Sequence, residues 1–209
     1  MDAAAWVSGL GLGVALAAPV GPVNLLCVRR TALEGWRAGF ATGAGAAAAD
    51  VLLGALVLGG VSAGSAALLA HAPALRSVGG VGLVLFGLAL ALAPGVRPRR
   101  SAEAPPSKRA RALAGAFASS FALTIANPLP LVGLATALAL TGGEAAPEAT
   151  LWRVAGLACG SLAWWLVLTS AVAWLRARTG TPAPERLALV NRAVGAVLVV
   201  LGMAALAQS

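Results

Sequence analysis

The sequence predicts an all-α integral membrane protein, with six transmembrane helices arranged as two inverted three-helix repeats whose first and fourth helices are broken by proline. Three observations lead there. Hydrophobic residues make up 59% of the 209 residues and charged residues 11%, with a mean hydropathy of +0.88, which is more apolar surface than a soluble domain of this size buries. The apolar runs last about 20 residues each, enough to cross a bilayer. Asp50, the only acidic residue inside any of these runs, also recurs in the second half of the chain as Ser161: Gly45-x-x-x-Ala49-Asp50 answers Gly156-x-x-x-Gly160-Ser161.

Hydropathy and breaker residues place the spans near 4–28, 39–62, 76–94, 112–141, 152–175 and 187–207. The first run, Trp6 to Ala17, imitates a secretory signal ending in Ala15-Leu16-Ala17. The start Met1-Asp2 has no basic residue and the apolar run continues past that point, so an uncleaved span is expected. This span carries Pro19-Val20-Gly21-Pro22-Val23-Asn24, and the fourth carries Asn127-Pro128-Leu129-Pro130. Proline removes an amide donor and clashes with the preceding turn, so two close together break a helix. Broken backbone at membrane depth is tolerated where protein or cavity water satisfies it, and a half-helix amino end there attracts a carboxylate. A kink satisfied by neighbouring helices is the plainer reading of either segment alone.

The second and fifth spans hold Asp50 and Ser161. In the third and sixth, Arg76 and Val78-Gly79 match Arg192 and Val194-Gly195, with Gly87 and Gly202 following at nearly the same offset. Three spans per repeat is an odd number, so the halves enter the membrane in opposite directions. The units are therefore residues 1–94, a basic Pro-rich linker over 95–111, and residues 112–209. The linker mixes proline with charge, lacks apolar periodicity and reads as flexible and cytoplasmic.

Basic residues set the orientation. Arg29, Arg30 and Arg37 flank the first connector. Arg97, Arg99, Arg100, Lys108, Arg109 and Arg111 fill the third, and Arg176, Arg178, Arg186 and Arg192 flank the fifth. Of the 15 Lys and Arg, only Arg76 and Arg153 remain for the second and fourth. The odd connectors are then cytoplasmic and both termini outside, in a multi-pass protein of the cell membrane. Trp6, Trp36, Trp152 and Trp174 fall near span ends, where indole rings favour the interface. The same bias accounts for the net charge of +8, so nucleic acid is not an expected partner.

An ionisable group at mid-membrane depth costs roughly 2.5–3.5 kcal/mol on insertion scales and persists mainly where it faces a cavity or partner. Asp50 is accordingly the leading candidate, either holding a substrate ammonium or carrying a coupling proton; its plainer role is a structural hydrogen bond between helices. Pro19, Gly21, Pro22, Asn127 and Pro128 form the breaks, and Asn24, Asn127 and Ser161 offer uncharged polar contacts, each as well suited to satisfy broken backbone as to touch substrate. Trp164 and Trp165 lie mid-span, one suited to wall a cavity and the other to face lipid, although ordinary packing is the plainer role of either. Arg29 and Arg30 are suited to attract a carboxylate at the cytoplasmic mouth, although topology alone explains them. Cys27 and Cys159 have neither the spacing nor the company of a metal site and read as small buried residues. His71, in an outer connector without an acid beside it, reads as solvated.

The chain resembles the lysine and homoserine exporters of the LysE/RhtB type. The resemblance runs through Ala18-Pro19-Val20-Gly21-Pro22-Val23-Asn24, Arg29-Arg30, Gly35-Trp36-Arg37-Ala38-Gly39, the glycine-rich stretch to Asp50, Asn127-Pro128, Gly160-Ser161-Leu162-Ala163-Trp164-Trp165 and Asn191-Arg192-Ala193-Val194-Gly195. Two departures stand out: Val20 separates Pro19 from Gly21-Pro22, where members show Pro-Gly-Pro, and Leu129 follows Asn127-Pro128 where members show lysine. The resemblance implies efflux of amino acids or similar small metabolites driven by an ion gradient.

The expected function is thus a secondary exporter working by alternating access, with no cofactor and no resident metal. Its expected partners are a small-molecule amino acid substrate and the lipid bilayer, and a homodimer is left open. An intramembrane enzyme is the poorer reading, because di-aspartyl chemistry needs two membrane acids and serine chemistry a nearby base. Divalent-metal efflux would have to work with Asp50 and no clustered Cys or His. A non-transporting assembly subunit would not need matched breaks or a membrane acid.

Overall fold

The computed structural model describes residues 2–18, 21–58, 105–126, 147–180 and 184–207, together with Ser77, Gly80, Val81, Val84, Leu85, 87–89, Ala91, Leu92 and Leu134. Regular structure among the described residues is helical throughout: α1 (Ala3–Ala17), α2 (Pro22–Glu34), α3 (Trp36–Leu58), α4 (Pro106–Ile125), α5 (Pro147–Thr179) and α6 (Pro184–Ala207). Among the described residues, two helices, α3 and α5, are long and apolar enough to cross a membrane, and the bent pair α1 and α2 makes a third candidate.

α1 starts where the Asp2 carboxylate accepts the Ala5 amide at 3.0 Å, a side-chain N-cap. It ends at Ala17, just before Pro19. Its 15 residues rise only about 22 Å, short of a full crossing. The chain resumes as α2 with Gly21 extended at the N-cap and Pro22 in the first turn, where a missing amide costs nothing and φ is preset. The two axes differ by 78°. α2 stops at Gly35, whose φ of 100° is open to glycine, and whose N–H bonds the carbonyls of Arg30 and Thr31. α3 follows at once.

Helix contacts are made by small residues. A Cβ on Gly9 or Gly13 would overlap the backbone of α5 at Arg153 and Leu157, and one on Gly156 or Gly160 would overlap the backbone of α1 at Trp6 and Leu10. Partners rise together along both helices, so α1 and α5 run parallel in backbone contact. α3 meets α5 antiparallel, with Gly43 against Trp165, Asp50 on Ser161 and Gly54 against Leu157. α3 also packs on α4, where Gly45 abuts the Phe117 carbonyl. Gly202 and Gly195 of α6 press on Gly80 and Gly87 respectively, an antiparallel crossing.

Several expectations change. The first expected span, 4–28, is two helices reaching Glu34, so Arg29 and Arg30 lie within a helix and are half-buried rather than in a connector. The segment read as a linker is helical from Pro106, because Pro105-Pro106 provides the N-cap and first turn. α5 extends past the expected 152–175 at both ends. Cys27 is fully buried, but Cys159 is exposed, since it lies on the face of α5 opposite the one that packs on the other helices. His71 and residues 95–104 lie outside the described residues.

Candidate functional site

The site forms where α3 and α5 cross. Asp50 is 3% exposed and Ser161 fully buried, and the Ser161 hydroxyl donates to Oδ2 of Asp50 at 2.9 Å. This hydrogen bond joins the two positions that the sequence pairs. Small residues bring them together: the Gly13 position of α1 lies against the Ser161 amide, leaving no side chain between α1 and the pair.

The break in the first span lies one turn from this pair. Ala17, four residues beyond Gly13, shares a packed cluster with Val23, Cys27, Ala46, Ala47 and Trp165. Asn24 spans the break: its amide nitrogen donates to the Ala17 carbonyl at 3.0 Å, satisfying an acceptor that the interrupted helix leaves over. Its Oδ1 accepts from Trp164 Nε1 at 3.3 Å, which ties the break to α5. Gly21 and Pro22 form the start of α2, with the Gly21 carbonyl accepting from Leu25 at 3.1 Å. Pro19, Asn127 and Pro128, and with them the second proline segment, lie outside the described residues.

The two tryptophans have different surroundings. Trp165 is 2% exposed with its ring against Gly43, and its Nε1 has no hydrogen-bond partner among the described residues. Trp164 is half-buried and held by Asn24.

Arginines of α2, which topology alone explains in the sequence, are structural anchors. Arg30 Nη1 donates to Thr42 Oγ1 and to the Ala116 carbonyl, both at 3.0 Å, and Nη2 donates to Ser119 Oγ at 3.0 Å, joining α2 to α3 and α4. Arg29 Nε donates to Asn191 of α6. Arg176 of α5 donates to the Thr31 carbonyl at 3.3 Å. The hint in the sequence is two adjacent arginines, Arg29 and Arg30, two turns after the break at Pro22; their acceptors lie up to 162 positions away.

A family model, LysE type translocator, matches residues 14–209. The chain belongs to the LysE type translocator family. No curated protein and no solved structure shows significant similarity to it. Membership in a translocator family, with apolar helices long enough to span a bilayer, makes this LysE-type chain a multi-pass membrane transporter of amino acids or related compounds.

Proposed function

We propose that this LysE-type protein is a secondary transporter that exports amino acids or similar small metabolites from the cytoplasm by alternating access, driven by a proton or ion gradient. The observation that carries the reading is the Asp50 carboxylate, buried in a membrane-length helix, bonded to Ser161 and one turn from an interrupted helix. Such a group is costly in an apolar surrounding and is placed where its charge has work to do. In this reading Asp50 holds the substrate ammonium or the coupling proton, and the amino end of α2 favours the substrate carboxylate.

The six-span inverted repeat belongs to the same proposal. Asp50 and Ser161 are 111 positions apart, as are Gly45 and Gly156, whose Cβ positions would overlap the carbonyls of Phe117 and Trp6, themselves separated by the same interval. The contact of α1 with α5 thus has its counterpart in α4 with α3, as two inverted halves require. Under the Lys and Arg bias, α2 and residues 95–111 face the cytoplasm and both termini lie outside.

Metabolite profiling of the medium around overexpressing cells tests the function. Accumulation of one or more amino acids that collapses with a protonophore and with Asp50→Asn is the expected result. An unchanged medium at verified membrane expression overturns export.

A further inference from the structure

Three buried threonines return their hydroxyls to their own helices: Thr31 to Cys27 at 2.7 Å, Thr42 to Ala38 at 2.9 Å and Thr169 to Trp165 at 2.7 Å. That is the default for a hydroxyl inside a helix with no better partner. Ser120 and Thr124 of α4 do not follow it. They are 0% and 4% exposed, and neither hydroxyl has a hydrogen-bond partner among the described residues. Buried polar atoms of this kind are normally satisfied, and an ordered water is the usual missing partner.

Their position gives them a role. Arg30 Nη1 bonds both Thr42 and the Ala116 carbonyl, so these two residues are level across the seam between α3 and α4. Gly45 against Phe117, next along, shows that the two helices run parallel there. Asp50 lies eight residues beyond Thr42, and Thr124 eight beyond Ala116, so both stand about 12 Å farther along. Ser120 is halfway. Arg30, Ser120 and Thr124 therefore form a row of polar groups that starts at the arginine cluster and ends at the depth of Asp50.

The interval of 111 positions sharpens this. It carries Gly9 and Gly13 onto Ser120 and Thr124. Where one half of the protein has glycine in direct backbone contact, the other has hydroxyls without partners. Glycine would have sufficed for packing in both.

We propose that water occupies the α3–α4 seam and gives Asp50 its contact with the cytoplasmic side, with Ser120 and Thr124 lining the path and Arg30 closing its entrance. The occupant is water because each lining group is a small neutral hydroxyl, suited to a bridging molecule that both donates and accepts. The closed entrance is the three-bond contact of Arg30 with Thr42, Ala116 and Ser119. The cytoplasmic assignment rests on the transport reading and its topology.

Single cysteines at Ser120→Cys and Thr124→Cys, in a Cys159→Ser background, are to be reacted with the membrane-impermeant 2-(trimethylammonio)ethyl methanethiosulfonate in inside-out and right-side-out vesicles. Cys27, fully buried in the apolar cluster, is the internal control. Expected is modification of both new thiols from the inside-out face, faster than Cys27, and a further increase of about tenfold or more on adding Arg30→Ala, since hydrogen bonds to a charged donor are lost. Reaction no faster than Cys27, or only from the other face, overturns the proposal. Where a cysteine variant does not insert, efflux by Thr124→Val is compared with Thr124→Ser: a drop for valine with retention for serine supports the path, and equal rates overturn it. Wild-type efflux in the same vesicles separates the two readings: normal efflux with a dry seam removes the water path alone, whereas no wild-type efflux removes the transport reading.

Discussion

The α1–α5 seam and the α3–α4 seam are built on the same spacing and filled in opposite ways. In the first, Gly9, Gly13, Gly156 and Gly160 bring two backbones into contact, so nothing polar fits between them. In the second, Gly45 meets the Phe117 carbonyl, but Ala49 replaces the second glycine of the pair, and Ser120 and Thr124 stand where the first seam has glycines. A seam closed by backbone contact resists change, because neither surface has a side chain that can shift. A seam holding hydroxyls and an arginine can exchange partners. Under the proposed water path, the α1–α5 seam is a fixed wall and the α3–α4 seam is the side through which Asp50 is reached.

The largest effect is expected at Asp50. Asp50→Asn abolishes gradient-driven efflux while insertion, followed by membrane yield and a monodisperse detergent profile, stays intact; unchanged efflux would remove Asp50 from the mechanism. The exchange Asp50→Ser with Ser161→Asp sharpens the comparison. Two equivalent seams would let the swapped pair work, whereas the asymmetry described above leaves the new carboxylate beside the glycine-filled wall, so efflux should stay low.

Next in size is the wall itself. Gly13→Val forces a branched side chain into α5 backbone and should lower stability by about 1–3 kcal/mol or more, as overpacking does, read as a fall in thermal midpoint in detergent. Thr124→Val adds no volume and should leave that midpoint nearly unchanged. A loss in Thr124→Val as large as that in Gly13→Val would mean that the Thr124 hydroxyl is held by a protein partner rather than by a bridging water.

A smaller effect is expected at the break. Asn24→Leu leaves the Ala17 carbonyl without its donor and Trp164 without its acceptor, a cost of about 1–3 kcal/mol for the buried group. Pro22→Ala, by contrast, sits in the first turn of α2 and should alter stability little while lowering efflux, because the added amide lets helical bonds re-form across the bend. Normal efflux from Pro22→Ala would make the bend a packing kink.

Much of this was legible residue by residue. Pro19 and Pro22 announce the interruption after Ala17 because a missing amide and a ring clash act locally. Asp50 stands out because charge inside an apolar run is costly wherever the helix packs. Asn24 was visible as a polar residue beside the break, but its role as a cap on Ala17 depends on a 78° bend whose angle no local pattern encodes. Arg30 was misplaced for a similar reason: charge beside a span normally reports orientation, and only the fold brings Thr42, Ala116 and Ser119 around it.

By itself, the sequence determined that the chain is helical, lies in a membrane, is interrupted in its first span and pairs Asp50 with Ser161. Each of these follows from hydropathy, from proline's lost donor or from repetition, all properties of residues near one another in the chain. The tertiary structure alone decided which helices touch, and that Gly9 and Gly13 correspond to Ser120 and Thr124. In helices so rich in alanine and glycine every face is small and apolar, so periodicity does not single out a contact surface; that choice is made only when two backbones approach and one side chain fits where another would not.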